Sequence, residues 1–160
     1  MCIRDRRNFT YDELSIGQQA SYSKQLTERD IQLFAAVSGD VNPVHLDAEF
    51  AATTPFGERI AHGMLTGAMI SAALAMELPG PGTTYLSQSM RFRQPVKIGD
   101  TVTVTLEVTD KQDRTGKVTL DCKARNQHDK LVASGSAEVM PPAESLRLER
   151  PALPEFSPAG

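Results

Sequence analysis

Hydrophobic residues in the first half of the chain recur at three- and four-residue spacing, which is the period of a helix. The segment Thr27–Asp30 has the form of a capping box, in which the threonine accepts a hydrogen bond from a free amide at the helix start. Gly39 is suited to end that helix, because glycine enters the left-handed region at little steric cost. The pattern predicts a helix over Thr27–Ser38 and a second short helix over Leu46–Thr53, capped by Asp47.

The segment Gly63–Leu78 is apolar around almost its whole circumference, and nearly all of its other residues are small. A helix that is hydrophobic on every side, yet too short to cross a membrane, is typical of a helix buried in protein. The run Pro79–Gly82 ends it, because proline and glycine both interrupt helices. We therefore expect one fully buried central helix.

Beyond Gly82 the hydrophobic period changes to two, the period of a strand with one buried face. A short first strand is expected within Phe9–Lys24. The pattern then predicts four successive strands joined by short turns, which would form an antiparallel meander. These four strands are Tyr85–Phe92, Thr101–Thr109, Lys117–Asn126 and Leu131–Met140.

One buried helix and a long antiparallel sheet with an apolar face predict an α+β fold. A sheet that wraps a single central helix is the hot-dog architecture, although periodicity alone does not distinguish it from other α+β packings. The 160 residues suit a single domain, and we place it at residues 9–140. Residues 1–8 show neither period and are predicted to be a disordered leader. Half of the ten prolines fall in residues 141–160, which predicts a loose C-terminal extension.

The composition argues against several classes of function. A hydrophobic content of 40% with 23% charged residues is ordinary for a globular protein. The formal charge is −3 and the basic residues are scattered, which argues against nucleic acid as a partner. No apolar run approaches the roughly 18 residues of a membrane helix, so no membrane partner is expected. Two distant cysteines favour a reducing, cytoplasmic location, and three histidines without a zinc motif predict no metal site.

The densest polar chemistry lies between the first two predicted helices, where Asp40, Asn42 and His45 fall within six residues. Pro43 forces Asn42 into an extended conformation, which predicts a rigid loop. Histidine titrates near neutrality, an ionised aspartate can accept a proton, and an asparagine can hold a water, so the trio suits proton transfer. The structural alternative is that Asp40 closes an Asx-turn, Asn42 satisfies loop backbone and His45 caps the next helix.

Gly63 lies where the buried helix begins. Helix N-termini present unpaired amides and a positive dipole, and glycine lets a ligand approach closely, so Gly63 is a candidate oxyanion site. Alternatively, this glycine only lets the helix begin in a crowded place. Ser71, near the middle of the helix, could bond the Gly67 carbonyl or support Asp40. The neighbouring His62 is interpreted as a buried residue that orients the turn, outside the catalytic set.

Four motifs in this order and spacing resemble those of the MaoC-like (R)-specific enoyl-CoA hydratases, a family with short single-hot-dog members that feed polyhydroxyalkanoate synthesis. The resemblance covers roughly Thr10 to Met140. The motifs are D-x-N-P-x-H at Asp40–His45, I-x-H-G-M at Ile60–Met64, the stop at Pro79–Gly82 and F-x-x-P-V-x-x-G-D at Phe92–Asp100.

The resemblance implies reversible hydration of trans-2-enoyl-CoA to (R)-3-hydroxyacyl-CoA without metal or organic cofactor, coenzyme A being part of the substrate. It implies that Asp40 and His45 hold the reacting water. It leaves open which of the two abstracts the proton and which delivers it, and we assign Asp40 as base and His45 as its partner. The Gly63 amide would stabilise the thioester oxygen, and Asn42 and Ser71 would support the site. It further implies a homodimer that joins two sheets edge to edge. The motifs leave the acyl chain length open, and also the choice between coenzyme A and acyl-carrier-protein thioesters.

Two other functions are consistent with a hot-dog fold. An acyl-CoA thioesterase could use Asp40 to direct water at the thioester carbonyl, but a histidine five residues later suits addition to a double bond better. A non-catalytic acyl-CoA-binding or heterodimer-forming subunit would be expected to lack Asp40 or His45, and this chain has both.

Overall fold

A computed structural model describes residues 6–156 of the chain. The strands are β1 Arg6–Arg7, β2 Gln19–Gln25, β3 Thr84–Phe92, β4 Thr101–Lys111, β5 Val118–Arg125, β6 Leu131–Met140 and β7 Arg147–Leu148. The main sheet has five antiparallel strands in the order β2-β4-β5-β6-β3, and a separate two-stranded sheet pairs β1 with β7. The helices are α1 Glu28–Ser38, α2 Pro43–Leu46, α3 Ala48–Ala52 and α4 Gly63–Met76.

The first helix follows the sequence pattern closely. Thr27 is the N-cap of α1, and both reciprocal hydrogen bonds of the capping box with Asp30 are present. Gly39 ends the helix with a φ of 79°, in the left-handed region. The second predicted helix is present as α3, and Asp47 caps it by accepting hydrogen bonds from the amides of Glu49 and Phe50.

The central helix α4 lies against the inner face of the main sheet, mainly against β2 and β4. Strand β4 alternates between partly exposed and fully buried residues, and β5 repeats the pattern, so the two strands present one continuous apolar face. The residues of α4 that complete this core are Met69, Ile70, Ala73 and Leu74. The predicted α+β hot-dog fold, a long sheet around one central helix, is therefore confirmed.

The strand order differs from the predicted meander. Only β4, β5 and β6 follow one another, while β3 pairs with β6 and β2 pairs with β4. The chain between β3 and β4 does not form a hairpin, because it is tied to the segment that precedes α4. The Ala61 amide donates to the Val96 carbonyl at 2.7 Å, and Ile60 forms an isolated antiparallel bridge with Lys97.

Both ends of the domain also differ from prediction. Residues 6–8 were assigned to a disordered leader, yet β1 pairs with β7, and the Asn8 side chain is buried. Asn8 donates to the carbonyls of Pro81 and Glu144 and accepts from the Leu146 amide. Residues 141–148 therefore fold back onto the domain, because they supply one acceptor, the Glu144 carbonyl, and one donor, the Leu146 amide, for a buried polar side chain. Residues 1–5 of the predicted leader lie outside the described residues.

Within residues 6–156, no helix has both the length and the apolar character that crossing a membrane requires.

Candidate active site

The segment that carries Asp40, Asn42 and His45 is not a loop throughout. Asn42 has a ψ of 124°, as expected before proline, but it is the N-cap of the helical turn α2, which contains His45. The Asn42 side chain accepts a hydrogen bond from the Val44 amide at 3.2 Å. Because proline at the first helical position favours a helix start, Pro43 begins a helix where a rigid loop was predicted.

Asp40 and His45 face one another across a short gap. Asp40 Oδ2 lies 3.9 Å from His45 Nε2, and the Asp40 side chain is half exposed while His45 is 8% exposed. His45 Nδ1 lies 2.8 Å from the Ile60 carbonyl oxygen. A carbonyl can only accept, so Nδ1 carries the hydrogen and Nε2 is the nitrogen directed to Asp40. The separation is too long for a direct hydrogen bond and suits a small molecule held by both atoms.

Asp40 and Asn42 also make the local contacts of the structural alternative. Asp40 Oδ1 accepts a hydrogen bond from the Asn42 amide at 3.2 Å, which closes an Asx-turn. The second oxygen, Oδ2, is the one nearest to His45. The Asx-turn therefore engages one oxygen of the carboxylate and leaves the other facing His45.

Arg59 binds the main chain of His45, and none of the sequence motifs includes this arginine. Its Nε donates to the His45 carbonyl oxygen at 2.7 Å, and its Nη2 donates to Glu28 at 2.9 Å. Because Glu28 is the first residue of α1, this arginine ties α2 to α1. The pairing joins residues 31 positions apart, so no local pattern could have indicated it.

His62 contacts both members of the predicted catalytic pair. It is 2% exposed, and its Nε2 donates to the Asp40 main-chain carbonyl at 2.9 Å. Its ring stacks on that of His45, with centroids 3.9 Å apart and an interplanar angle of 27°. Its Nδ1 is buried without a hydrogen-bond partner in residues 6–156. The I-x-H-G-M motif marks its position in sequence, but only the tertiary structure reveals these contacts.

Gly63 is the first residue of α4, where main-chain amides have no intrahelical acceptor. It borders a cavity of about 260 Å³ between the start of α4 and the end of β3. The lining residues are Phe56, Ile60, Ala61, His62, Gly63, Thr66, Phe92, Arg93, Gln94, Pro95, Val96 and Val132. Asp40 and His45 are not among them, and His62 connects this cavity to the pair.

A second, more apolar cavity of about 440 Å³ lies between β2, α1 and α4. Its wall includes Phe34, whose ring centroid is 4.9 Å from that of His62. The other lining residues are Tyr22, Lys24, Leu26, Asp30, Leu33, Val37, Leu65, Ala68, Met69 and Ala72. The cluster of Asp40, His45 and His62 therefore stands between a cavity at Gly63 and an apolar cavity along α4.

Ser71 is half-buried on α4, eight residues after Gly63, which corresponds to roughly 12 Å along the helix axis. Among residues 6–156, no hydrogen bond joins its side chain to Asp40 or to the Gly67 carbonyl. Its supporting role stays a prediction.

Asp40, His45 and His62 are also the group that could hold a metal ion within the described part of the chain, because each offers a ligand atom within 4.8 Å of the others. One nitrogen of each ring already donates to a main-chain carbonyl. A metal on His45 would occupy Nε2, the nitrogen directed to Asp40. Cofactor-free chemistry at this site stays a prediction.

The chain matches a family model and is similar to proteins of known function. A family model described as the MaoC like domain matches residues 13–129. The chain is 46% identical over 137 residues to an (R)-specific enoyl-CoA hydratase of Rhodospirillum rubrum, covering 83% of this chain and 92% of that protein.

Solved structures agree with the sequence comparison. The R-hydratase PhaJ1 from Pseudomonas aeruginosa, in its unliganded form, is 54% identical with a TM-score of 0.90, over 97% of this chain and 99% of that chain. The (R)-hydratase from Aeromonas caviae involved in PHA biosynthesis is 43% identical with a TM-score of 0.78, over 81% and 98%.

Proposed function

This chain belongs to the family of MaoC-like domains, and we propose that it hydrates trans-2-enoyl-CoA to (R)-3-hydroxyacyl-CoA and catalyses the reverse dehydration. The observation that carries the mechanism is the 3.9 Å gap between Asp40 Oδ2 and His45 Nε2. Two hydrogen-bond acceptors at this separation can hold one water, since a water donates two hydrogen bonds. Relatives named as (R)-specific enoyl-CoA hydratases support the substrate class and the stereochemistry.

In the proposed reaction, Asp40 and His45 carry out the proton transfer with one water. The Asp40 carboxylate takes a proton from the water as its hydroxyl bonds to C3, while His45 Nε2 accepts the second hydrogen bond and orients the water. The electron pair of the C2=C3 bond moves toward the thioester oxygen. Asp40 then returns the proton to C2, which leaves the enzyme unchanged. The carboxylate is half exposed, which leaves room for substrate to approach.

Negative charge develops on the thioester oxygen, and we assign the Gly63 amide as the donor that stabilises it. A donor of this kind lowers the activation barrier of comparable reactions by about 2.7–4 kcal/mol. Gly63 borders the cavity that ends at His62, next to the catalytic pair. The apolar cavity beside Phe34 and Leu65 offers a surface for the acyl chain.

The decisive test follows the loss of enoyl-thioester absorbance with crotonyl-CoA. Replacing Asp40→Asn keeps the shape of the side chain but removes the base, so kcat should fall by about 10²–10⁴-fold. Asp129→Asn is a matched control, because Asp129 is exposed on a turn at a φ of 58°, a conformation that asparagine tolerates.

Product identity completes this test. A dehydrogenase specific for (R)-3-hydroxyacyl-CoA should oxidise the product of the wild-type reaction. A folded wild-type protein that leaves crotonyl-CoA and longer enoyl-CoA substrates unchanged would contradict the hydratase proposal. Release of free thiol would instead identify a thioesterase. An Asp40→Asn variant that loses stability but not turnover would show that the Asx-turn is the only role of Asp40.

The functional unit that we propose is a homodimer joined through β3. Strand β3 is an edge of the main sheet, and nearly all of its residues are exposed. Tyr85, Leu86 and Phe92 on this strand are 38%, 42% and 55% exposed. A nine-residue edge strand with exposed apolar side chains is a template for pairing with another strand, and a second copy of the chain offers the same edge.

A further inference from the structure

We infer that His62 is a positioning residue, which holds Asp40 and His45 in a fixed relation to one another. The inference rests on the proposed function and adds a residue to its site. His62 contacts both members of the pair, one through a hydrogen bond and the other through its ring face.

The first contact fixes the backbone of Asp40. His62 Nε2 donates to the Asp40 carbonyl oxygen at 2.9 Å, across 22 positions of sequence. Asp40 lies just after Gly39, which has left-handed backbone, in the short connection between α1 and α2. The Asp40 carboxylate itself bonds only to the neighbouring Asn42 amide among described residues. The hydrogen bond from His62 therefore connects the Asp40 segment to the start of α4.

The second contact fixes the plane of the His45 ring. The hydrogen bond from His45 Nδ1 to the Ile60 carbonyl holds one edge of the ring but does not contact its faces. The stacked His62 ring, 3.9 Å away between centroids, supports one of these faces and so helps to keep Nε2 directed to Asp40. Phe34 packs against His62 in turn, so the stack is continuous with α1.

The unpartnered Nδ1 atom argues that this ring is not kept for packing alone. Because Nε2 donates to a carbonyl, Nδ1 is a buried acceptor, and it has no hydrogen-bond partner among residues 6–156. An unsatisfied buried acceptor is unfavourable, and a phenylalanine would fill similar space without it. Phenylalanine, however, cannot donate to Asp40. The donor at Nε2 is thus the feature that distinguishes histidine here.

Loss of the donor should affect the chemical step more than substrate binding. A displacement of about 1 Å in a reacting group can cost about 10²-fold in rate. His62→Phe keeps a ring for stacking and removes the donor. His62→Gln restores a side-chain N–H donor without the ring. His128→Gln is the matched control, because His128 lies on the exposed turn between β5 and β6.

We expect kcat of His62→Phe with crotonyl-CoA to fall by about 10²-fold while KM changes by less than about threefold. His62→Gln should recover a substantial part of that loss, and His128→Gln should match the wild type. Circular dichroism and the thermal midpoint of each variant establish that it is folded. If His62→Phe does not fold, His62→Leu replaces it as the variant without a donor.

Three results would overturn the inference. One is a folded His62→Phe or His62→Leu protein with kcat within twofold of the wild type. Another is an increase in KM at unchanged kcat, which would assign His62 to the wall of the substrate cavity. The last is failure of both donor-free variants to fold, which would make His62 a folding residue. A wild-type protein without hydratase activity would refute the proposed function instead, so the two failures are distinguishable.

Discussion

Asp40 and His45 each direct their two polar side-chain atoms to different partners. Asp40 uses Oδ1 to close an Asx-turn and directs Oδ2 to His45. His45 uses Nδ1 to hold the Ile60 carbonyl and keeps Nε2 for the gap. The structural and catalytic interpretations of the D-x-N-P-x-H motif are therefore compatible, because each group has two polar atoms that point in different directions.

Cys122 shows how burial alone changes the chemistry of a residue. Burial in the core raises the pKa of its thiol from 9.0 to about 11. Between pH 9 and pH 11 the thiol ionises in the unfolded chain but not in the native protein. The native state then binds more protons, so the free energy of unfolding falls as pH rises through this range.

We predict that Cys122→Ala removes this part of the pH dependence. Relative to pH 8, the wild type should lose about 2 kcal/mol more stability at pH 10.5 than the variant does. Urea unfolding of both proteins at the two pH values measures the difference. All other titrating groups are shared by the two proteins, so parallel losses would show that the Cys122 thiol ionises equally in both states.

Several short elements, rather than one, assemble the site. The connection after α1 supplies Asp40, α2 supplies His45, and the start of α4 supplies His62 and Gly63. The segment before α4 also accepts the hydrogen bond from His45 through Ile60. Because these elements hold one another through main-chain carbonyls, the geometry depends on their packing rather than on any single helix.

The contact between Gly63 of α4 and Phe92 of β3 predicts how a substitution at Gly63 affects activity. A Cβ atom on Gly63 would lie 2.8 Å from Cε1 of Phe92, so Gly63→Ala must displace this ring. Phe92 is 55% exposed and can move, which predicts a folded protein. Both residues line the cavity at the helix start, so kcat/KM should fall by about 10-fold or more.

A double-mutant cycle tests that explanation. In a Phe92→Ala background the added methyl group has room, and Gly63→Ala should then cost much less activity. Equal costs in the two backgrounds would show that the methyl group acts on the substrate or the helix amides directly, not through Phe92.

The two terminal segments of the domain are hydrogen-bonded to each other, whereas one edge of the main sheet is unpaired within residues 6–156. Residues 6–8 and 144–148 meet where Asn8, the turn at Pro81 and residues 144–146 share hydrogen bonds, and β1 pairs with β7 beside them. The edge of β3, by contrast, has no strand beside it among residues 6–156. The proposed dimer would cover that edge.

We predict that the protein sediments at twice the 17.4 kDa of one chain. Leu86→Lys should shift it toward the single-chain mass, because Leu86 lies at the bulge of β3, where it has no partner on β6, and is 42% exposed. Each copy of the chain would bring one new charge into the proposed interface. Ile16→Lys, at an exposed position away from β3, is the control. A wild type at the mass of one chain would contradict the dimer.

The local elements were largely determined by the sequence. The capping box at Thr27, the left-handed Gly39 and the period of two in β4 and β5 act over a few residues, so each is visible in the chain itself. The same holds for the choice of Asp40, His45 and Gly63 as candidates, since their motifs are short. Helix and strand propensity, capping and hydrophobic period are local properties.

Contacts between distant residues were decided only by the tertiary structure. The placement of β3 beside β6, the burial of Asn8, and the hydrogen bond from His62 to Asp40 each join segments that are far apart in the chain. A hydrophobic period shows which face of a strand is buried but not which strand lies next to it. His62 therefore appeared in the sequence as one buried histidine, and its position against Asp40 and His45 followed from how α2 and α4 pack.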